Sequence, residues 1–285
     1  MTRTLVIGPG RVGRSLALVH RRAGEDVALL GRKPGPWQEW AKQNGIAASI
    51  RLDQAAKPRP DLVLIAVPDR AITEVAADCA RAFPCDGVLF VHVSGMHDVE
   101  VLNAVALEGG FTAAMHPVMQ FNEPEQDLAM LRHALVTITA SPNAREESLR
   151  IAGIWGARPV RLKADVDRRR YHLGLALASN HITALLAWAE DLLRPAFGDA
   201  AWEVVDSMAT QAMGAARANG PAAALTGPIV RGDVATVREH LAGLSAEERT
   251  RYAGLLDVVL SLALKSHRLD PERARELREL ADRNR

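Results

Sequence analysis

The chain has 285 residues, 48% of them apolar, and its 35 basic and 34 acidic side chains give a formal charge of +1. That length exceeds the usual ~100–200 residues of one domain, so two domains are expected. Near-neutrality removes the sequence-independent attraction on which binding to nucleic acid or anionic lipid depends, and a small molecule is the expected partner. No window approaches the ~18 uncharged apolar residues of a membrane span, and Leu5 to Ile7 is too short for a signal-peptide core, so the expected location is cytoplasmic. Cys79 and Cys85 fit neither a CxxC redox motif nor a zinc site and read as reduced thiols.

In chain order, the apolar runs TLVIG, VALLG, IAASI, LVLIAV, VLFVHV, TAAMH and ALVTITA alternate with helix-like segments such as Arg11 to Ala23 and Asp69 to Phe83. Strands apolar on both faces, joined by helices, predict an α/β fold: a doubly wound parallel sheet covered on both sides. Pro142 and Asn143 open a further helix, and RPVRL supplies a last strand near Lys163. Beyond Ala164 only helices are expected, at Val166–Leu193, Ala200–Ala218, Val234–Leu244, Ala246–Ser266 and Pro271–Arg283. The expected domains are therefore 1–163, with the sheet, and 164–285, all helical. The first of these helices is apolar around most of its circumference, which predicts burial at the domain junction or in a subunit interface.

The first run leads into GPGRVG, a G-x-G-x-x-G pattern between a strand and a helix. In a dinucleotide site the first glycine makes the turn, the second admits the pyrophosphate and the third packs helix against strand; Gly8, Gly10 and Gly13 fit those roles. Pro9, Arg11 and Val12 complete the loop, and the phosphates would meet the free N–H groups where the helix starts. The alternative is a plain packing turn. The second strand ends in GRK, where Arg32 and Lys33 stand in place of the acid that holds an NAD ribose, so NADP(H) is the expected cofactor; a solvated basic turn is the alternative. AVPDRAI ends the fourth strand and brings Val67 and Pro68 to the edge along which a cofactor ribose would pass, with Asp69 expected to N-cap the next helix.

Two strand ends carry groups able to move protons. VLFVHVSG delivers Ser94, with His92 inside the strand, and TAAMHPV delivers His116. Hydride transfer at a carbon bearing oxygen requires an accompanying proton, which histidine supplies near neutral pH, so His116 is the leading acid/base and Ser94 a substrate contact. A histidine satisfied by local hydrogen bonds and a serine serving its own turn are the alternatives. On the long helix, 100° per residue places His172, Ala176, Ser179, Asn180 and Thr183 in one stripe, with His181 pointing away; the stripe forms either an internal network or the wall of a polar cavity. In LTGPIVRGD, Thr226 lies in a turn, Arg231 suits an anionic substrate and Asp233 caps the next helix. His92, His97 and His116 show no metal-ligand spacing, and no metal is expected.

GPGRVG, AVPD, HVSG, HPVMQF, YHLGLALASNH and LTGPIVRGD together make the chain resemble, over nearly its whole length, the Rossmann-like oxidoreductases with a helical C-terminal domain that long lacked an assigned function. These are related to ketopantoate and pyrroline-5-carboxylate reductases, which pair an NADP(H) domain with helices that often dimerise. The resemblance implies reduction of a small 2-oxo acid and a homodimer formed through the C-terminal helices. It sets the ketopantoate-reductase lysine at His172, one asparagine at Ala176 and the second at Asn180, so only Asn180 is retained, and His172 or His116 is left to donate the proton. Ser179, Thr226, Arg231 and Asp233 complete the expected substrate contacts. MHPV with Ser94 is similar to prephenate and arogenate dehydrogenases. The competing expectations are an imine reductase, a prephenate-type dehydrogenase and a dinucleotide-binding sensor without turnover.

Overall fold

A computed structural model describes residues 1–163 and 165–283. The first unit runs β1 (Arg3–Ile7), α1 (Arg11–Arg22), β2 (Asp26–Leu30), α2 (Trp37–Gln43), β3 (Ala47–Ser49), α3 (Leu52–Ala55), β4 (Leu62–Ile65), α4 (Ile72–Ala82), β5 (Leu89–His92), α5 (Asn103–Leu107), β6 (Phe111–Val118), α6 (Pro124–Leu131), β7 (Leu135–Ala140), α7 (Arg145–Trp155) and β8 (Arg158–Arg161). The eight strands form one sheet in the order β3-β2-β1-β4-β5-β6-β7-β8. The order reverses between β1 and β4, and the carboxyl ends of those strands form the crevice where such sheets take ligands.

Alternation along the strands divides the core into two layers. Val6, Leu29, Leu64, Val91 and Met115 pack with Leu16 of α1 and Ile151 and Trp155 of α7. Leu5, Ile7, Val63, Ile65 and Phe90 pack on the opposite face with Ile72 and Ala76 of α4, Val105 of α5 and Leu102 just ahead of it. Successive residues pointing to opposite faces, both covered by helices, explain why these strands are apolar at nearly every position. Cys79 and Cys85 are buried free thiols in the second layer.

The sheet departs from all-parallel at one place: β6 and β7 are antiparallel, with Val118 opposite Leu135 and His116 opposite Thr137. The chain leaves β6 at Val118, runs through the eight-residue α6 and re-enters the sheet at Leu135 beside the end it left. β8 then pairs parallel to β7.

The compact units divide after Ile182, not at the end of the sheet. Ala164, the expected first residue of the second domain, lies outside the described residues. The single helix expected over Val166–Leu193 is α8 (Arg168–Ala176), a π-helical turn (Leu177–His181) and α9 (Ile182–Phe197). Asp167 caps α8 by accepting from the N–H groups of Arg169 and Arg170, which is why the helix starts two residues later than its apolar pattern. α8 counts with the sheet unit because Arg168, only 9% exposed, donates to Asp98 and Thr139 at 3.0 and 2.7 Å. Within the chain itself no residue of α9 is buried, which leaves the subunit interface as the place where the expected burial would occur.

The second unit, Thr183–Arg285, holds most of α9 and α10 (Ala201–Asn219), α11 (Pro221–Ala224), α12 (Val234–Ala242), α13 (Ala246–Lys265) and α14 (Pro271–Asp282). Its core is Val237 and Leu241 of α12 with Leu256, Leu260, Leu277 and Leu280 of α13 and α14. Asp233, Ser245 and Asp270 cap these three helices, Ser245 reciprocally with Glu248 in a capping box. No helix of the described residues is long and apolar enough to cross a membrane.

Candidate functional site

The glycine loop leaves β1 through Gly8, whose φ of +111° suits glycine and where a Cβ would lie 2.4 Å from the Ala66 carbonyl oxygen at the end of β4. At Gly13 a Cβ would fall 1.8 Å from the Gly8 carbonyl oxygen, so the third glycine lets α1 close against the turn. Gly10 is different: a Cβ there would meet nothing within 4 Å. Two glycines build the turn, and the one between them keeps open a space that a side chain would fill. Gly10 is also the N-cap of α1, with no side-chain cap and no acidic residue in the first turn. The N–H groups around Arg11 and Val12 are thus left for an external acceptor at the positive end of a twelve-residue helix. These residues fit a dinucleotide pyrophosphate, the approach running over Pro9 and Gly10.

Beside the loop, Gly31 is hemmed by the Trp37 ring and by Pro9, at 2.5 and 2.9 Å from where its Cβ would stand. The Trp37 indole donates to the Lys33 carbonyl at 3.1 Å and fixes the turn. Arg32 and Lys33 are left exposed, with no ion pair to either among the described residues. At the end of β4, Val67 is half-buried and Pro68 exposed. Asp69 does not cap α4, contrary to expectation: the chain enters through a 3₁₀ turn, Asp69–Ala71, and the N-cap position falls on Ala71.

The ends of β5 and β6 gather the polar groups. His92 is fully buried, bonded through Nε2 to the Asp98 carbonyl at 3.0 Å, and accepts the Ser94 N–H at Nδ1; burial lowers its pKa to about 4. Ser94 accepts the N–H groups of Met96 and His97, so it shapes the turn that carries Gly95. Gly95 is needed there, since a Cβ would lie 2.9–3.1 Å from the His116 ring. His116 hydrogen-bonds through Nδ1 to the Tyr171 hydroxyl at 2.9 Å, the rings meeting edge to face, and the His172 ring lies 6.4 Å away between centroids. Burial, then the nearby His172 and Arg168, lower the His116 pKa to about 4, with Asp69 opposing. His116 and His172, named from distant segments, are thus brought together.

Tyr171, Arg168 and Asp98 escaped the sequence reading. Tyr171 stands one residue before His172 in YHLGLALASNH, and the pattern of a helix gives no sign that its hydroxyl reaches a strand 55 positions earlier.

The stripe on the long helix is altered by the π turn, which breaks the 100° progression. Ser179 donates to the Leu175 carbonyl at 2.7 Å, and His181, expected to face away, bonds the Ala176 carbonyl at 2.9 Å across the wide turn. Asn180 and Thr183 are exposed. In the helical unit Thr226 and Arg231 are exposed, and Asp233 is engaged by Thr236, whose N–H and hydroxyl donate to it at 3.1 and 2.7 Å, so its capping role is met.

A doubly wound, mostly parallel sheet with a glycine turn at its switch point, followed in the chain by a helical region, defines a Rossmann-like fold. Residues 3–117 match the Rossmann-like domain, and residues 134–257 match a domain of unknown function, DUF2520; the chain joins the two. Three solved structures share the fold. A candidate NADP oxidoreductase from Bacteroides fragilis is 20% identical, with a TM-score of 0.74 over 93% of this chain and 98% of its own. A protein of Thermotoga maritima is 20% identical, at 0.70 over 91% and 99%. A pyrroline-5-carboxylate reductase from Coxiella burnetii is 13% identical, at 0.59 over 97% and 98%. No curated protein matches in sequence.

Proposed function

We propose that the protein is an NADP(H)-dependent oxidoreductase that reduces the carbonyl of a small 2-oxo acid. The observation that carries this reading is the turn Gly8–Gly13, where a vacant backbone surface at Gly10 meets an uncapped helix end, with Arg32 and Lys33 exposed on the adjacent strand end. The likeness to the Bacteroides fragilis oxidoreductase supports the choice of NADP. Gly8, Gly10 and Gly13 hold the pyrophosphate, and Arg32 and Lys33 the 2′-phosphate. When bound, the reduced nicotinamide supplies hydride. The chain supplies the proton from the His116–His172 corner, and Ser94 and Asn180 are the remaining groups of this unit assigned to substrate.

A second reading, reduction of a cyclic C=N bond, is favoured by the likeness to the pyrroline-5-carboxylate reductase, and it demands the same proton. A homodimer through the C-terminal helices is supported by large apolar side chains left exposed: Leu185, Leu192 and Phe197 of α9 and Trp202, Met208 and Met213 of α10 are 39–62% exposed.

Arg32→Ala tests the cofactor. Affinity for NADPH is expected to fall by about 10-fold or more while affinity for NADH holds, the loss of one charge-assisted phosphate contact. Equal effects on both nucleotides in a fluorescence titration would overturn the assignment. A panel of 2-oxo acids and cyclic imines, followed by nicotinamide absorbance, separates the two substrate readings.

A further inference from the structure

We propose that the hydroxyl of Tyr171 is the proton donor of this site and that His116 is the positioning residue that resupplies it. This rests on the reading of the protein as a reductase but makes a claim of its own about two side chains.

Three observations carry the pairing. The Tyr171 oxygen lies 2.9 Å from His116 Nδ1, with the rings edge to face. Gly95 is required for the imidazole to sit where it does, since any Cβ would press on Cε1, Nε2 and Nδ1 together. The pair sits at the carboxyl end of β6, beyond the last rung that β6 shares with β5, at the edge where an open α/β sheet works on its ligand.

The groups around the pair decide which member gives the proton. Arg168 and His172 from α8, His92 from β5 and burial all keep the imidazole neutral at pH 7, with Asp69 alone opposing them. A neutral imidazole is a poor acid but a good relay, able to lose a proton at one nitrogen while gaining one at the other. Tyr171 is held in its phenol form by burial, while the nearby Thr137 hydroxyl and the Arg168 charge favour the phenolate. Thr137 Oγ1 is buried and makes no hydrogen bond of full geometry, so it is free to turn its O–H onto a phenolate oxygen. The step balances as follows. The substrate heteroatom, gaining an electron pair as its carbon is reduced, takes the phenolic proton; the Nδ1–H of His116 passes to the phenolate; Nε2 takes a proton from water.

The chain has two tyrosines, so in a Tyr252→Phe background the 295 nm absorbance of tyrosinate reports Tyr171 alone. Tyr252 lies in the helical core and takes no part in the pair. His116→Phe fills the ring volume without an N–H, and is expected to raise the Tyr171 midpoint by about one pH unit, because a hydrogen bond to the charged form is stronger than one to the neutral form. His116→Asn, which keeps a donor near Nδ1, is expected to restore part of the shift. A midpoint that stays put in both variants overturns the pairing.

With NADPH and the best oxidant of the panel, Tyr171→Phe is expected to lower kcat about 100-fold or more and to abolish the alkaline limb of the pH profile. His116→Phe is expected to move that limb upward with the tyrosine midpoint. Unchanged turnover in Tyr171→Phe overturns the donor. Failure of the wild-type protein to bind NADPH, read by quenching of tryptophan fluorescence, would count against the reductase reading and leave the titration result standing.

Discussion

Trp155 donates its indole N–H to Nε2 of His20 at 3.0 Å, joining α7 to α1. Both side chains are buried, and Nε2 must be bare to accept, so the imidazole hydrogen resides on Nδ1 and faces Glu25 at 2.7 Å. Glu25 also accepts from Thr4. Burial alone would raise the Glu25 pKa, but His20, Thr4 and Arg150 together hold it below the usual range. Trp155→Phe is expected to cost roughly 1–3 kcal/mol, since it strands a buried acceptor while keeping most of the packing. Urea midpoints test this; a change under about 0.5 kcal/mol would show that the indole hydrogen bond carries no weight.

The glycine loop yields a matched pair. Gly13→Ala drives a methyl into the Gly8 carbonyl, so the melting temperature is expected to fall and NADPH binding with it. Gly10→Ala adds its methyl to open space and is expected to leave the melting temperature within about 2 °C while weakening NADPH by about 10-fold or more. Undiminished binding in the Gly10 variant would identify the turn as a packing device.

Acid should loosen the sheet unit through two histidines. His92 and His116 both titrate near pH 4, pushed down chiefly by burial. Below pH ~6.5 the unfolded chain takes up protons that the folded chain refuses until about pH 4, so stability is full above neutrality and falls across that window, by about 2 kcal/mol per histidine at pH 5. His116→Phe is expected to remove one share of that slope. Urea midpoints at pH 7.5 and 5.0 that change equally in variant and wild type would refute it.

Gly95→Ala probes the wall behind His116. Its Cβ meets the imidazole at 2.9–3.1 Å, so the ring must shift, and NADPH oxidation should drop by about 10-fold or more at unchanged NADPH affinity. Wild-type turnover would show that the position of the imidazole does not matter to the reaction.

Local patterns were enough to specify the strands, the glycine turn and the cap at Asp233. TLVIG and VALLG are apolar at nearly every position because both faces of the sheet are covered, and Asp233 sits directly ahead of the helix it caps. Such features depend on neighbours within a few residues, so their signal survives in a one-dimensional chain. GPGRVG was legible, for the same reason, as the turn between β1 and α1, with Gly8 and Gly13 at its close approaches.

Tertiary structure decided the rest, because the remaining features depend on distances between segments far apart in sequence. The return of β7 antiparallel to β6 is not written in the apolarity of either strand, which is the same for both directions of pairing. The π turn that resets the face of the long helix leaves no trace in its periodicity. Asp69 looks like a cap until the chain enters α4 by a 3₁₀ turn. The pairing of His116 with Tyr171 exists only once α8 has docked on the sheet through Arg168, and a hydrogen bond that depends on docking cannot be inferred from either segment alone.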